Sequence, residues 1–520
     1  MWILLACTSP DPTDTPDDSE ATTVDSPVDS EDPCDAEEIC NNADDDCDGS
    51  VDEGTQLTGY ADADSDGFGD PDVAETACEL PEGYVSDNTD CDDENEAVHP
   101  DAEEICNDSI DNNCDESGEP CGWSETATVE HASIVITGEA ETGFAETAVL
   151  APGALVVGSP SYDGMGRFSV FATDLRGELS TDDAHFSVTS TQAGELFASS
   201  LASMGDLDGD GSPTIAAGAP GRSGSEGAVY LVELSGVGDV ETNWAEAVVS
   251  GSAGQSQAGT ALASADFDGD GTPDLAVGAP RFGTGTDRKG AAYILHGPIS
   301  TTGLASSDAR LQGTNGARAG QSLAAGDVTG DGIGDLLVGA YWDSTQAEKA
   351  GAVYIVEGPA EGNEDLADMA GQLLGPHNAA MAGTTVVALG DANGDGYGDV
   401  AVGIPGMDRD ADVDVGAVVM VYGPVTSTGQ LGDFGRIEGA SAYDAVGSIL
   451  GQSDGALLIG GTGAWVQLGP WTSNQTVESA SVELEATPTS LAGGAYNNDT
   501  QRDVVVGEAG RVWVVFGEGL

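Results

Sequence analysis

From Val149 onward the chain alternates short, almost wholly apolar runs with polar, glycine-rich stretches, and the runs keep a register. The glycine closing one run of each repeat stands at Gly158, Gly218, Gly278, Gly339, Gly403, Gly460 and Gly507, at intervals of 47 to 64 residues. It belongs to Gly-Ala-Pro or a close variant. After a loop comes a second apolar run opening on Gly-Ala-Val-Tyr or a relative, as at Gly227 to Tyr230, Gly290 to Tyr293, Gly351 to Tyr354 and Gly416 to Val419. Runs this short and rich in β-branched residues predict strands. A period of this length suits one four-stranded blade, so the seven glycines predict an all-β, seven-bladed β-propeller.

A strand-like segment precedes each later repeat, for example Ala245 to Ser250 before the third, and reads as the outer strand of the preceding blade. An equivalent segment, Ser133 to Thr137, precedes the first repeat, and the chain reaches Leu520 directly after a strand expected over Val512 to Phe516. The last blade is therefore expected to take its outer strand from near 133–137. Such closure hides an edge otherwise open to pairing with other chains.

Four of the apolar runs follow one nine-residue motif: DLDGDGSPT from Asp206, DFDGDGTPD from Asp266, DVTGDGIGD from Asp327 and DANGDGYGD from Asp391. Oxygen ligands at positions 1, 3, 5 and 9, with a glycine at position 6 for the tight turn, are what a hard divalent cation needs from a short loop. Asp266, Asp268, Asp270 and Asp274 make the full set, with the Thr272 carbonyl at position 7. Asp327, Thr329, Asp331 and Asp335 carry one charge fewer, as do Asp391, Asn393, Asp395 and Asp399. Asp206, Asp208 and Asp210 are joined by Thr214 in place of the ninth carboxylate, so this site is expected to be weaker. No Lys or Arg lies inside these loops, so several bound Ca2+ ions are expected to turn mutual repulsion into coordination and to stabilise the blades. The first and sixth repeats have lost the loop, at VLAPGALVVGSP from Val149 and GQSDGALLIGG from Gly451. The seventh keeps only Asn497, Asp499 and Asp503.

Composition narrows the class of function. With 93 Asp and Glu against 13 Lys and Arg, the net charge is −80, and no basic residue precedes Arg167. A polyanion repels nucleic acid and anionic membrane surfaces, which excludes both as expected partners. The five histidines, His99, His131, His185, His296 and His377, show no catalytic partner motif, and no GxSxG, HExxH or phosphate-binding loop is present. No catalytic residue is nominated, and an enzyme is not expected. A propeller-based hydrolase or lyase remains the third reading, because propellers can build such sites from loops.

The amino-terminal part is different in kind. Cys34, Cys40, Cys47, Cys78, Cys91, Cys106, Cys114 and Cys121 crowd one loop-rich segment, and no cysteine follows it. The cluster predicts a disulfide framework of open pairing formed outside the cytosol, zinc being disfavoured by the absence of a CxxC pair. Asp62, Asp64, Asp66 and Asp70, with Gly67, form a further copy of the acidic motif, and DCDDENE from Asp90 is a second acidic cluster. Position 12 is Val73, so this is not the loop of a helix-loop-helix sensor. Thr8 to Pro33 has almost nothing apolar and reads as a disordered acidic tether. No later stretch is apolar enough to span a bilayer as a helix.

Three resemblances attach to these motifs. Leu4-Leu5-Ala6-Cys7 resembles the lipobox of bacterial lipoproteins, which implies a signal remnant over 1–7 and lipidation of Cys7. The stretch before it lacks a charged region and is short, as a start upstream of Met1 would explain. DAEEICNNADDDCD from Asp35 and DAEEICNDSIDNNCD from Asp101 resemble the metal-binding repeats of bacterial surface proteins, a family that includes copper-binding proteins. They define a module over 34–121, for which calcium suits the oxygen-only ligands better than copper. Residues 128–520 resemble the FG-GAP repeats of integrin alpha-subunit propellers. That resemblance implies acidic loops joining the first two strands of a blade, and ligands bound through loops on the opposite face, where Trp342 is a candidate contact. The expectation is a calcium-binding, non-catalytic adhesion or binding protein with an extracellular protein or glycan partner. It would be held at the bacterial cell envelope, as an outer-membrane or surface lipoprotein, or else secreted. The alternative is a metal-sequestering surface protein acting through the cysteine-rich module.

Overall fold

In the computed structural model the described residues are 39–41, 43, 44, 49–52, 54–93, 95, 98–100, 102, 114, 126, 127 and 132–515, the last range without 174, 253, 286, 410, 411, 454, 455, 468–472, 478–481 and 495–502. The tether, Cys7, Cys34, Cys47, Cys106, Cys121, Asn497 and Asp499 thus lie outside the described residues. Two compact units are present, one reaching residue 103 and including Cys114, the other carrying the repeats. No helix is long and apolar enough to cross a membrane among the described residues.

The amino-terminal unit holds a three-stranded antiparallel sheet in which Leu57–Ala61 lies between Ala74–Ala77 and Tyr84–Val85. Its strands bury little, and cross-links compensate. Cys40 pairs with Cys78 and Cys91 with Cys114, closing loops of 38 and 23 residues.

Among the described residues the repeats form seven five-stranded sheets. The third shows the pattern: Leu262–Ala265, Asp274–Ala279, Ala291–Leu295 and Ala309–Gln312 run antiparallel in chain order. The fifth strand corrects the four-stranded expectation. Gly362–Asp365, from the next repeat's connection between its third and fourth strands, pairs in parallel with Ala309–Gln312. Each connection of this kind lends a short strand backwards, as Gly238–Glu241 does to Phe186–Thr189.

The same rule accounts for the residues ahead of the first repeat. Ile134–Thr137 lies antiparallel to Arg511–Val515 as the fourth strand of the seventh sheet, and Thr126–Ala127 pairs in parallel with Val482–Leu484 of the sixth. Both segments precede the first repeat in sequence and complete sheets formed by the last two repeats. The strand expected over Val512 to Phe516 is described as Arg511–Val515. The first strands, Thr147–Ala151, Leu201–Ser203, Leu262–Ala265, Ser322–Gly326, Val386–Gly390, Ile449–Ser453 and Ser490–Gly494, adjoin one another in that cyclic order, and the last returns to the first. This is a β-propeller.

Both faces of every sheet are covered, which is why the second strands are apolar throughout and not alternating. In Asp335–Ala340, Leu336 and Val338 pack on Ala276 and Ile294 of the third sheet, whereas Leu337 packs on Val400 and Val402 of the fifth. The seventh sheet is shared in the same way. Val504 and Val506 face Leu458 of the sixth, while Val505 faces Leu155 and Val157 of the first.

The register glycine has a steric cause. A Cβ at Gly278 would lie 2.2 Å from the Gly320 carbonyl oxygen, and one at Gly403 would lie 2.0 Å from that of Gly447. Those carbonyls belong to the neighbouring sheet, and in five of the sheets a hydroxyl donates to the corresponding carbonyl. Thr147 donates to Ala198 (2.8 Å), Ser200 to Gly259 (2.9 Å), Ser322 to Gly383 (2.9 Å), Thr385 to Gly447 (2.7 Å) and Ser490 to Ala145 (2.9 Å). The third sheet has Ala261 at the matching position and lacks this bond.

Candidate metal centres

Each acidic motif of the propeller connects the first strand of a sheet to the second, at 206–213 between Leu201–Ser203 and Thr214–Gly218 and likewise in the next three sheets. The position 1 carboxylate folds the loop around itself. Asp206 accepts the amides of Gly209 (2.7 Å) and Gly211 (2.8 Å), Asp266 those of Gly269 (2.7 Å) and Gly271 (2.8 Å). Asp327 accepts Gly330 (2.5 Å) and Gly332 (2.8 Å), and Asp391 accepts Gly394 (2.7 Å) and Gly396 (2.8 Å). Position 5 adds a bond to the amide of position 7, as from Thr272 to Asp270 at 2.7 Å and from Tyr397 to Asp395 at 3.0 Å. Position 3 accepts the position 5 amide at Asp208 (3.1 Å), Asp268 (3.0 Å) and Asn393 (2.9 Å). Four sequences that vary at five of the nine positions thus adopt one turn geometry, because the carboxylates satisfy the amides the turn exposes.

Position 9 plays a second part. Asp274, Asp335 and Asp399 begin the second strands and are fully buried. Asp274 takes the amides of Phe267 (2.8 Å) and Gly297 (2.7 Å). Asp335 takes Val328 (2.9 Å), Thr329 (2.9 Å) and Gly358 (3.1 Å), and Asp399 takes Ala392 (3.0 Å) and Gly423 (3.0 Å). The ninth carboxylate therefore ties its loop to the end of the third strand, where Gly297-Pro298, Gly358-Pro359 and Gly423-Pro424 stand. The second sheet has Thr214 at this place and Leu234-Ser235 in place of Gly-Pro. The ninth-position Asp and the Gly-Pro after the third strand occur together in the same three repeats, a signal visible in the sequence.

Electrostatics follow the two roles. The amides of Gly211 and Gly209 hold the Asp206 carboxyl below its ordinary value. At Asp266 burial acts upward, but the amides of Gly271, Gly269 and Asp270 outweigh it. Burial pushes Asp274, Asp335 and Asp399 up despite their amide donors. A cation beside these carboxylates would remove that penalty. Oxygens of Asp206, Asp208 and Asp210 lie within 4.8 Å of one another, and so do ligand atoms of Asp268, Asp274 and His296. His296 is a neighbour of the site that lies outside the nine-residue motif. It stands directly before Gly297, with Nδ1 3.4 Å from Asp268. Asp503 heads its strand fully buried, as the other ninth positions do.

In the amino-terminal unit Asp62 accepts the Ser65 amide (2.8 Å), Asp64 that of Asp66 (3.2 Å) and Asp66 that of Phe68 (2.8 Å). Oxygens of Asp62, Asp64 and Asp66 converge within 4.8 Å, and Asp64 also converges with Asp90 and Asp93. Asp93 further accepts the Ala63 amide at 2.8 Å. The DCDDENE cluster is thus part of the same site and not a separate one. Asp70 instead accepts the Asp72 amide at 2.7 Å. Burial pushes Asp64 and Asp90 up, with neighbouring carboxylates adding to it. One oxygen each of Asp64, Asp66 and Asp90 is buried without a hydrogen-bond partner among the described residues. An all-oxygen set with orphaned, charge-crowded carboxylates fits a hard divalent cation.

Comparison with known proteins agrees with both units. The FG-GAP repeat model matches residues 258–295 and 319–356. The model described as "Putative metal-binding motif" matches residues 33–53 and 90–119. Integrin alpha-PS2 of Drosophila melanogaster is 37% identical over 158 residues, 28% of this chain and 10% of that protein. Integrin alpha-3 of Mus musculus is 36% identical over 134 residues, 25% of this chain and 12% of that protein. The matches thus span far less than two thirds of these relatives. The WD40 domain from Toxoplasma gondii coronin overlays with a TM-score of 0.48 at 10% identity, covering 75% of this chain and 88% of that one. The chain carries FG-GAP repeats, as its integrin alpha homologues do, together with the metal-binding motif.

Proposed function

We propose that the chain is a calcium-stabilised, non-catalytic binding protein of the bacterial cell envelope, anchored through Cys7 and engaging an extracellular protein ligand by its propeller. The observation that carries this reading is the common carboxylate-to-amide geometry of the four loops, repeated on sheets whose sequence is similar to integrin alpha subunits. The ligand set would be Asp206, Asp208 and Asp210; Asp266, Asp268, Asp270 and Asp274; Asp327, Thr329, Asp331 and Asp335; and Asp391, Asn393, Asp395 and Asp399. Calcium there would bring each loop's like charges into one coordination shell and brace the first and second strands. Metal analysis of the purified full chain tests it. Exchangeable calcium supports the reading, and calcium-free protein with unaltered stability rejects it.

Metal sequestration by the amino-terminal unit is a second reading, favoured by the convergence of Asp64, Asp90 and Asp93. Tightly held copper or iron on that unit would select it over the first.

A further inference from the structure

Six of the chain's 13 basic residues fall between positions 281 and 349: Arg281, Arg288, Lys289, Arg310, Arg318 and Lys349. Elsewhere Arg167, Arg222, Arg409, Arg436 and Arg511 each form an ion pair with an aspartate or glutamate. None of the six does so among the described residues. With 93 acidic residues in the chain, pairing is the default, and these cations depart from it.

Aromatic rings hold three of them, Arg310 over Phe282 and Arg318 and Lys349 over Trp342. The Arg318 guanidinium lies 3.7 Å from the centroid of Trp342, and the Lys349 ammonium lies 4.7 Å from the same centroid. Arg318 Nη1 donates to the Tyr341 hydroxyl at 2.8 Å. Cation–π contact orients a cation without neutralising it. Arg318 Nε and Arg288 Nη1 are buried and donate to nothing among the described residues.

Arg281, Arg288, Lys289, Arg318 and Lys349 also share one end of the sheets. Antiparallel order puts the acidic loops at one end of the strands and the connections 280–290, 313–321 and 341–351 at the other. The patch is continuous there, since Arg318 donates its amide to Arg288 (3.2 Å) and Ala319 donates to Lys289 (3.1 Å). The backbone itself does not call for charge at these places. Gly166, Gly227, Gly290, Gly351 and Gly416 make the same bridge to Phe197, Ala258, Ala319, Ala382 and Val446. Two residues before each glycine stand Gly164, Ser225, Arg288, Lys349 and Asp414; directly before each partner stand Leu196, Gln257, Arg318, Met381 and Ala445. Only the third and fourth repeats put cations there.

We infer that Arg288, Lys289, Arg318 and Lys349 form a docking surface for a carboxylate side chain of a peptide ligand that is otherwise neutral or basic. The inference deepens the ligand-binding reading and rests on it. A chain of net charge −80 repels an acidic polymer everywhere except at this patch, whereas it attracts a peptide whose carboxylate is isolated among neutral or basic residues.

The test uses the full chain in saturating calcium against a random phage-displayed peptide library, followed by fluorescence anisotropy with the selected peptide. Selected peptides are expected to carry Asp or Glu at zero or positive net charge. Replacing that residue by Asn or Gln, or introducing R318Q or K349Q, is expected to weaken binding by about tenfold or more. Unchanged calcium-dependent melting checks that each variant folds; K349Q changes an exposed side chain and stands in if R318Q does not fold. Peptides without carboxylates, or binding indifferent to both variants, overturn the docking surface while leaving the ligand-binding reading intact. Preference for polygalacturonate or dextran sulfate overturns the peptide assignment. Failure of every probe to bind overturns the surface and the reading together.

Discussion

The Asp274 carboxylate accepts the amide of Gly297 at 2.7 Å across 23 residues of sequence, while its other oxygen accepts that of Phe267 at 2.8 Å. One buried side chain thus joins a metal loop to the end of the third strand. Asp335 and Asp399 repeat the arrangement.

Substituting Asp274 by Ala leaves both amides without their acceptor. The expected loss is about 2–4 kcal/mol, from two unsatisfied buried donors, read as a lower urea midpoint. Asp268→Ala, at a less buried carboxylate, should weaken calcium binding with a smaller loss in metal-free protein. Equal losses for the two variants without metal would contradict the dual role of position 9.

Acid should separate the metal-free and calcium-loaded forms. Burial raises Asp274, Asp335 and Asp399 above the ordinary carboxylate value, so the folded, metal-free chain binds protons more readily than the unfolded one. These groups therefore stabilise less as pH rises from that value through the raised ones. Calcium binds the ionised form, so its stabilising increment should grow over the same window. Melting curves taken in chelator and in calcium should diverge from acid toward neutral pH; a constant gap would count against the assignment.

Much of this was legible in sequence. The glycine register predicted the repeats, since each glycine except Gly460 marks a place where a neighbouring carbonyl excludes a Cβ, as at Gly278 and Gly403. The segment 133–137 was readable as an outer strand from its apolar character. The fifth strands were not, because Gly362–Asp365 is exposed and polar and owes its conformation to backbone pairing with Ala309–Gln312. The convergence of Asp90 and Asp93 on Asp64 was equally hidden, being set by folding of the disulfide-bonded unit. Trp342, read as an exposed ligand contact, is half-buried beneath Arg318 and Lys349.

Removing residues 1–137 deletes the fourth strand of the seventh sheet and the fifth of the sixth. The bared edge at Arg511–Val515 should drive association, seen as a shift to large species in size-exclusion chromatography. Removing residues 1–121 should leave the propeller monodisperse. Identical elution of the two would refute the role of the 126–137 segment.

Reduction should act on one unit only. Cys40–Cys78 and Cys91–Cys114 close loops of 38 and 23 residues, each worth about 3–4 kcal/mol in the chain-entropy account. Hydrogen exchange after reduction should rise across residues 57–93 and stay unchanged in the propeller strands. Loss of propeller protection would contradict the independence of its stability.

Thermal unfolding of the full chain in excess calcium and in chelator addresses the central claim most directly. Extracellular calcium modules bind at about 10⁻⁴–10⁻³ M, so about 10 mM calcium contributes about 1.4–2.7 kcal/mol per occupied site. Four such loops should raise the propeller transition by on the order of ten degrees, with magnesium giving a smaller rise. A melting temperature that is the same in calcium and in chelator would contradict the account.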